Sequence, residues 1–271
     1  MPGIGRMAIN EKSESAAALL VTDMRDTWDR LASENAMHYI ASGEEHWRER
    51  DFFASGESDL ARHLDPVLAR HGFEARGKSM LEIGCGVGRM SFHLARRFGE
   101  VDAVDISPEM FRRAREFQQK FGAANLRFHL GSGKDLAGFE AERFDLCFSY
   151  IVFQHVPDAE LIFDYVREIG RVLKQGGMYL FQVNGHAHVR LSASTYLSWG
   201  IRDSGRLRKW GMTKRPFVRL GRPDLMAGVP IKPSAMLHTC RSAGLETAEI
   251  IGAGSQYMWF VGRKKAAESQ G

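Results

Sequence analysis

The hydrophobic positions of this chain change period several times, and each change marks an element. Ser79 to Gly84 (SMLEIG) is a short apolar run that reads as a buried strand. From Arg89 to Phe98, the apolar residues Met90, Leu94 and Phe98 recur every four positions and predict a helix. Glu100 to Ile106 (EVDAVDI) is the next strand. Ser107 then supplies a cap, Pro108 a first helical residue and Glu109 an acid in the first turn, so a helix starts there and runs to near Gly122. Leu126 to Gly131 and Phe144 to Ile151 predict a third and a fourth strand. Asp158 opens a helix to Leu173, and the turn Lys174-Gln175-Gly176-Gly177 leads into a fifth strand, Met178 to Val183. Strands that alternate with helices imply a parallel, doubly wound sheet.

The rhythm changes near the C-terminal end. Pro233 to Ala243 reads as a helix. The segments Glu246 to Ile251 and Tyr257 to Gly262 flank the turn Gly252-Ala253-Gly254 and predict an antiparallel hairpin on the sheet edge. Two stretches lie outside this pattern. Thr22 to His71 reads as helices with aromatics interspersed, among them Trp28, Tyr39, Trp47, Phe52 and Phe53; Trp28, Ala32, Ala36 and Tyr39 recur at helical spacing. Asn184 to Ile231 is an insertion after the fifth strand. The fold expected is therefore α/β: a Rossmann-like, doubly wound, mostly parallel seven-stranded sheet with an antiparallel C-terminal edge hairpin, an N-terminal helical lid and an insertion after strand 5.

Composition narrows the class. The 271 residues are 44% hydrophobic and 26% charged, an ordinary balance for a globular chain. No apolar run approaches the roughly 20 residues that a membrane span needs. Cys85, Cys147 and Cys240 are far apart and form no CxxC pair, which argues against a disulfide framework or a metal site and favours a cytoplasmic setting. The net charge of +4 is concentrated in the insertion. Arg190, Arg202, Arg206, Arg208, Lys209, Lys214, Arg215, Arg219 and Arg222 stand there, interleaved with Tyr196, Trp199, Trp210 and Phe217. Such a run is either a solvated surface or the roof of a pocket for an anionic acceptor.

The candidate chemistry begins at Glu82-Ile83-Gly84-Cys85-Gly86-Val87-Gly88, between a predicted strand and a predicted helix. Glycines there let the backbone turn sharply and approach a ligand. NAD-binding folds also use a glycine turn, but the spacing here is G-x-G-x-G, and Glu82 would repel a pyrophosphate. A carboxylate at that place suits a ligand with a cationic tail, acting through its field and by fixing the loop. Asp105, at the end of the second strand, can accept hydrogen bonds from ribose hydroxyls and so points to an adenosine ligand. Ile106 and Met110 are placed to cover the adenine faces, or simply to pack.

The ordered set LEIGCGVGR, AVDISPEM, LGSGKDL, FDLCFSYIVFQHVPD and IGRVLKQGGMYLF, over roughly residues 78 to 183, resembles class I S-adenosylmethionine (SAM) dependent methyltransferases, in particular their small-molecule branch. The resemblance implies SAM as cofactor and S-adenosylhomocysteine as product. It implies that Glu82, Gly84, Gly86 and Gly88 surround the methionine part, with Cys85 inside the same motif, and that Asp105 holds the ribose. Gly131, Ser132 and Gly133 would edge the adenine, although the family often has Asp where Ser132 stands. Ser149 and Tyr150 would lie near the SAM amino group or the acceptor, and Tyr39 would reach the cleft from the N-terminal lid, as would Trp47. His155, in Gln154-His155-Val156-Pro157, is either a general base for the acceptor or a residue that packs beside the cofactor and caps the next helix.

On this reading the chain divides into a mobile tail (1–20), a helical lid (21–75), a SAM-binding core (76–183), a basic substrate cap (184–231), the C-terminal part of the core (232–265) and a short tail (266–271). The expected activity is in-line methyl transfer to oxygen or nitrogen of a small molecule, with natural-product tailoring as one setting and a monomer or homodimer as the working unit. The alternatives are an RNA or protein methyltransferase that uses the basic insertion, and a non-catalytic SAM-binding protein. The Asn/Asp-Pro-Pro-aromatic pattern of many nucleic-acid amine methyltransferases is absent from Ser149-Tyr150-Ile151-Val152, which places nucleic acid behind a small molecule.

Overall fold

In the computed structural model, residues 4–185 and 228–266 are described, with side chains from Ala18 onward. The chain opens with helix α1 (Ile4–Ile40), α2 (Glu49–His63) and α3 (Asp65–Arg70). The core then runs β1 (Ser79–Ile83), α4 (Ser91–Arg97), β2 (Glu100–Asp105), α5 (Pro108–Phe121), β3 (Leu126–Leu130), β4 (Phe144–Ser149), a 3-10 turn (Phe153–His155), α6 (Ala159–Val172), β5 (Leu173–Val183), α7 (Pro233–Ser242), β6 (Leu245–Ile251) and β7 (Met258–Lys264).

These strands form one seven-stranded sheet in the order β3-β2-β1-β4-β5-β7-β6. The first five pair in parallel, and β7 pairs antiparallel with both β5 and β6. The order reverses between β1 and β4, and the C-terminal ends of those two strands open the crevice where such sheets bind ligands.

Alternation along the strands explains why both faces are covered. Met80, Leu146, Phe148, Leu180 and Val261 join one core with Phe52, Leu60, Phe92 and Met110. Their neighbours Leu81, Cys147, Tyr179, Phe181 and Phe260 join the opposite core with Ile162, Val166, Met236 and Cys240 from α6 and α7. Successive strand residues point to opposite faces, so a doubly covered sheet needs near-continuous apolar strands.

The helix starts follow the local chemistry read from sequence. The Ser107 hydroxyl accepts the Met110 N–H at 3.1 Å, and the Asp158 carboxylate accepts the Leu161 N–H at 2.9 Å. Three boundaries differ. The fourth strand stops at Ser149, because Ile151 adopts φ 56°, which breaks an extended run. The stretch Lys174 to Gly177 is absorbed into β5, with a register shift against β4 between Phe144 and Leu146. At the start, α1 is helical from Ile4, within the stretch expected as a tail; Ala16, Ala17, Ala18, Leu19 and Leu20 are strong helix formers. Of the expected basic cap (184–231), residues 186–227, with Tyr196, Trp199, Trp210 and Phe217, lie outside the described residues. No described helix is long and apolar enough to cross a membrane.

α1 kinks at Asn35, whose backbone is extended. The Asn35 carboxamide restarts the helix by accepting the His38 N–H at 3.2 Å, and it donates to the Glu45 carbonyl at 2.8 Å. The kink turns Tyr39 and Ile40 onto the C-terminal edge of the sheet.

Candidate active site

A single cleft gathers the ends of four parallel strands. Ile83 and Gly84 follow β1, Val104 and Asp105 close β2, Gly131 follows β3, and Tyr150 and Ile151 follow β4. Met24, Trp28, Tyr39 and Ile40 of α1 form its other wall, and Phe153, His155, Val156 and Tyr165 complete it.

The glycine loop is pinned to the neighbouring strand. The Gly84 and Cys85 N–H groups donate to the Val104 carbonyl at 2.8 and 3.1 Å. The Gly86 N–H donates to Asp105 Oδ2 at 2.8 Å, and the Ser107 N–H donates to Asp105 Oδ1 at 3.0 Å. Gly84 and Gly86 hold φ of 77° and 55°, conformations that a side chain strains. A Cβ on Gly84 would lie 2.2 Å from Val152, and one on Gly86 would lie 2.7 Å from Ile40, so apolar side chains from two elements press onto the loop.

Asp105 faces this loop with both oxygens already accepting one N–H each, which leaves further lone pairs for a ligand. Burial pushes its carboxyl above the usual range, and the backbone donors pull against that. Glu82 is more extreme. It is 1% exposed and does not line the cleft; it sits beneath the loop, where Oε2 accepts the Ser91 hydroxyl at 2.5 Å. Burial raises its pKa to about 7. Its Oε1 has no hydrogen-bond partner, nor has the buried Nε of Arg89, which lines the cleft. Arg89 is otherwise engaged, donating to Asp59 at 2.7 Å and to Ser55 at 3.1 Å.

Of the residues singled out from sequence, the cleft brings together Gly84, Gly86, Asp105, Ile106, Met110, Tyr150, Tyr39 and His155. The others support it from behind or beside. Cys85 is buried with its thiol pushed up by burial. Gly88 packs against Phe92 and Phe128, which leave no room for a side chain. Ser149 is buried and donates to the Ile83 carbonyl at 3.2 Å, tying β4 to β1. Ser132 and Gly133 form the adjoining corner, where the Ser132 hydroxyl bonds Asp135 at 2.7 Å and the Ser132 carbonyl accepts from Arg25 at 3.3 Å. Trp47 packs on Phe52 and donates to the Ala41 carbonyl at 2.7 Å, among the N-terminal helices.

Sequence reasoning passed over Arg89, Val152, Ile40 and Tyr165. Only Arg89 carried a signal, as the residue that closes the glycine motif. Nor did it foresee the stack beneath Tyr150. Trp259 of β7 lies nearly parallel to the Tyr150 ring at 5.2 Å, and His63 of α2 stacks on Trp259 at 5.6 Å. Burial raises the Tyr150 phenol to about 12.

Comparison with known proteins agrees with this geometry. Residues 81–181 match a family model described as a methyltransferase domain. A ubiquinone biosynthesis O-methyltransferase from Xanthomonas axonopodis pv. citri is 34% identical over 122 residues, 45% of this chain and 48% of that protein. The chain thus spans about half the length of that relative. Ajmaline N-methyltransferase from Rauvolfia serpentina is 28% identical over 175 residues, 62% of this chain and 56% of that protein. Magnesium protoporphyrin IX methyltransferase from Synechocystis PCC 6803, solved with bound S-adenosylhomocysteine, shares the fold with a TM-score of 0.56 at 16% identity, over 90% of this chain and 99% of that one. Residues 81–181, which supply most of the cleft, are thus similar to a methyltransferase domain, on a seven-stranded sheet shared with solved methyltransferases.

Proposed function

We propose that this chain moves a methyl group to an oxygen or nitrogen atom of a small organic molecule. The observation that carries the reading is the convergence of Gly84, Gly86 and Asp105 with Tyr39, Tyr150 and His155 on one cleft at the sheet's switch point. The matched stretches of the ubiquinone-pathway and ajmaline enzymes favour a small-molecule acceptor and leave both oxygen and nitrogen open.

The residues fit the cofactor. Asp105 would accept from the ribose hydroxyls, and Ile106 and Met110 would flank the adenine. Gly84 and Gly86 would let the backbone approach the amino-acid tail. Glu82 Oε1 and Arg89 Nε, buried and without partners, are an acceptor and a donor near the place where a zwitterionic tail would lie. SAM, when bound, supplies a methyl group activated by a sulfonium. The chain's task is to bind, to align acceptor with donor and to exclude water. The apolar lining from Met24, Trp28, Ile40, Val152 and Phe153 serves the last of these. The basic insertion would favour an anionic acceptor.

The test is calorimetric titration with SAM, S-adenosylhomocysteine and NADH, followed by turnover with a panel of phenols, amines and carboxylates. Saturable binding of the first two alone, with methylated product from at least one acceptor, is expected. Binding without any turnover would favour a non-catalytic SAM-binding protein, and salt-dependent RNA binding would favour a nucleic-acid substrate.

A further inference from the structure

A chain of buried amides runs from the end of β4 to the cleft histidine. The Ile151 N–H donates to Gln182 Oε1 at 3.0 Å. Gln182 Nε2 donates to the Gln256 carbonyl at 2.8 Å and to Gln154 Oε1 at 2.9 Å. Gln154 Nε2 lies 3.1 Å from His155 Nε2. Gln182 is fully buried and Gln154 is 5% exposed. On another side the His155 ring meets the Trp28 ring edge-on, with centroids 5.6 Å apart.

We infer that Gln154 and Gln182 are positioning residues that hold the His155 imidazole neutral, with its proton on Nδ1 and its Nε2 committed as an acceptor.

Amide orientation is ordinarily ambiguous, but here backbone groups decide it. Gln182 faces a backbone N–H that can only donate and a backbone carbonyl that can only accept. Reversing its amide would set donor against donor at Ile151 and acceptor against acceptor at Gln256. With Gln182 fixed, Gln154 must turn its oxygen to Gln182 and its nitrogen to His155. A carboxamide nitrogen is a donor only, so His155 Nε2 must accept. The polarity set at Ile151 is passed through two side chains to the ring. Ile151 is itself a β-branched residue at φ 56°, a conformation that persists only where the surroundings hold it.

The consequence for chemistry rests on the proposed transfer site. A histidine whose Nε2 lone pair is already taken by a donor cannot collect the acceptor's proton there unless both amides reverse. His155 is therefore held in place by the Gln154 donor and does not serve the proposed transfer as a base at Nε2.

The experiment is two-bond 1H–15N correlation on the full chain labelled at its ten histidines, at pH 8, with His155→Gln used to assign the ring. The expected pattern is a protonated Nδ1 and an unprotonated Nε2. Gln154→Glu places a carboxylate that accepts from both neighbours, so Nε2 should become protonated. A wild-type spectrum with Nε2–H, or a Gln154→Glu spectrum in which Nε2 stays unprotonated, overturns the inference. If Gln154→Glu does not fold, the wild-type tautomer and that of Gln182→Met, which should lose its single-tautomer pattern, decide the matter. SAM calorimetry on the same samples separates the two ideas: an Nδ1–H ring without SAM binding sinks the transfer reading alone, and SAM binding with an Nε2–H ring sinks the tautomer alone.

Discussion

Asp29 of the first helix caps the helix that Ser107 begins. Its Oδ1 accepts the Ser107 hydroxyl at 2.9 Å and the Glu109 N–H at 2.6 Å. Ser107 in turn donates its own N–H to Asp105. The first helix, the start of α5 and the carboxylate facing the cleft are thus joined by consecutive hydrogen bonds, with the carboxylate placed at the positive end of α5.

Asp29→Ala should therefore lower stability by about 1 kcal/mol, as the loss of a helix cap does, and also weaken SAM binding. Asp29→Asn keeps an acceptor oxygen and should lose less of both. Urea denaturation gives the first quantity and calorimetry the second; a variant that loses stability while keeping wild-type SAM affinity would show that the tether is structural only.

Asp105→Ala removes the proposed ribose acceptor and strands the Gly86 N–H. A charge-assisted hydrogen bond is worth about 1.5–3 kcal/mol, so SAM affinity should fall by about 10- to 150-fold. Unchanged affinity would move the cofactor site elsewhere.

Gly84→Ala should destabilise the fold twice over. The positive φ costs an L-residue about 1–2 kcal/mol, and the new methyl would sit 2.2 Å from Val152. Val152→Ala added to it should recover the steric part and leave the backbone part. Thermal unfolding of the single and double variants reads the difference, and full recovery would mean that φ carries no cost there.

Glu82 gives the protein a pH dependence of a defined sign. Its folded pKa of about 7 lies above the ordinary 4.5, so between those values the folded state holds more proton than the unfolded one. Stability from this group is present below pH 4.5, falls as pH rises toward 7, and is flat above that. The loss is on the order of 3 kcal/mol at 1.36 kcal/mol per unit. Glu82→Gln should subtract that fall from the wild-type stability curve, and parallel curves for the two proteins would refute the assignment.

Much of this architecture is legible in the sequence because its causes are local. Ser107-Pro108-Glu109 and Asp158 announce helix starts with residues that act within one turn. The glycine motif and Asp105 announce a ligand by their place at strand ends. What the sequence leaves unread depends on distant segments meeting. Nothing near Glu82 says that it lies below the loop on Ser91 and not in the cleft. Gln182 looks like one more strand residue until β5 meets Ile151, Gln154 and Gln256. Ile40 gains its place over Gly86 only through the kink at Asn35, where a helical pattern continues without a break.

The position of β7 between β5 and β6 sets an order of events during synthesis. Trp259, which underlies Tyr150 and His63, comes from the last strand of the sheet, while the rings it supports come from residues made roughly two hundred and one hundred positions earlier. A nascent chain that has emerged only as far as β6 has one hairpin strand with no partner, since β6 pairs with β7 alone. The support behind Tyr150 is therefore laid last, when residues 258–264 pair with β5 on one side and β6 on the other.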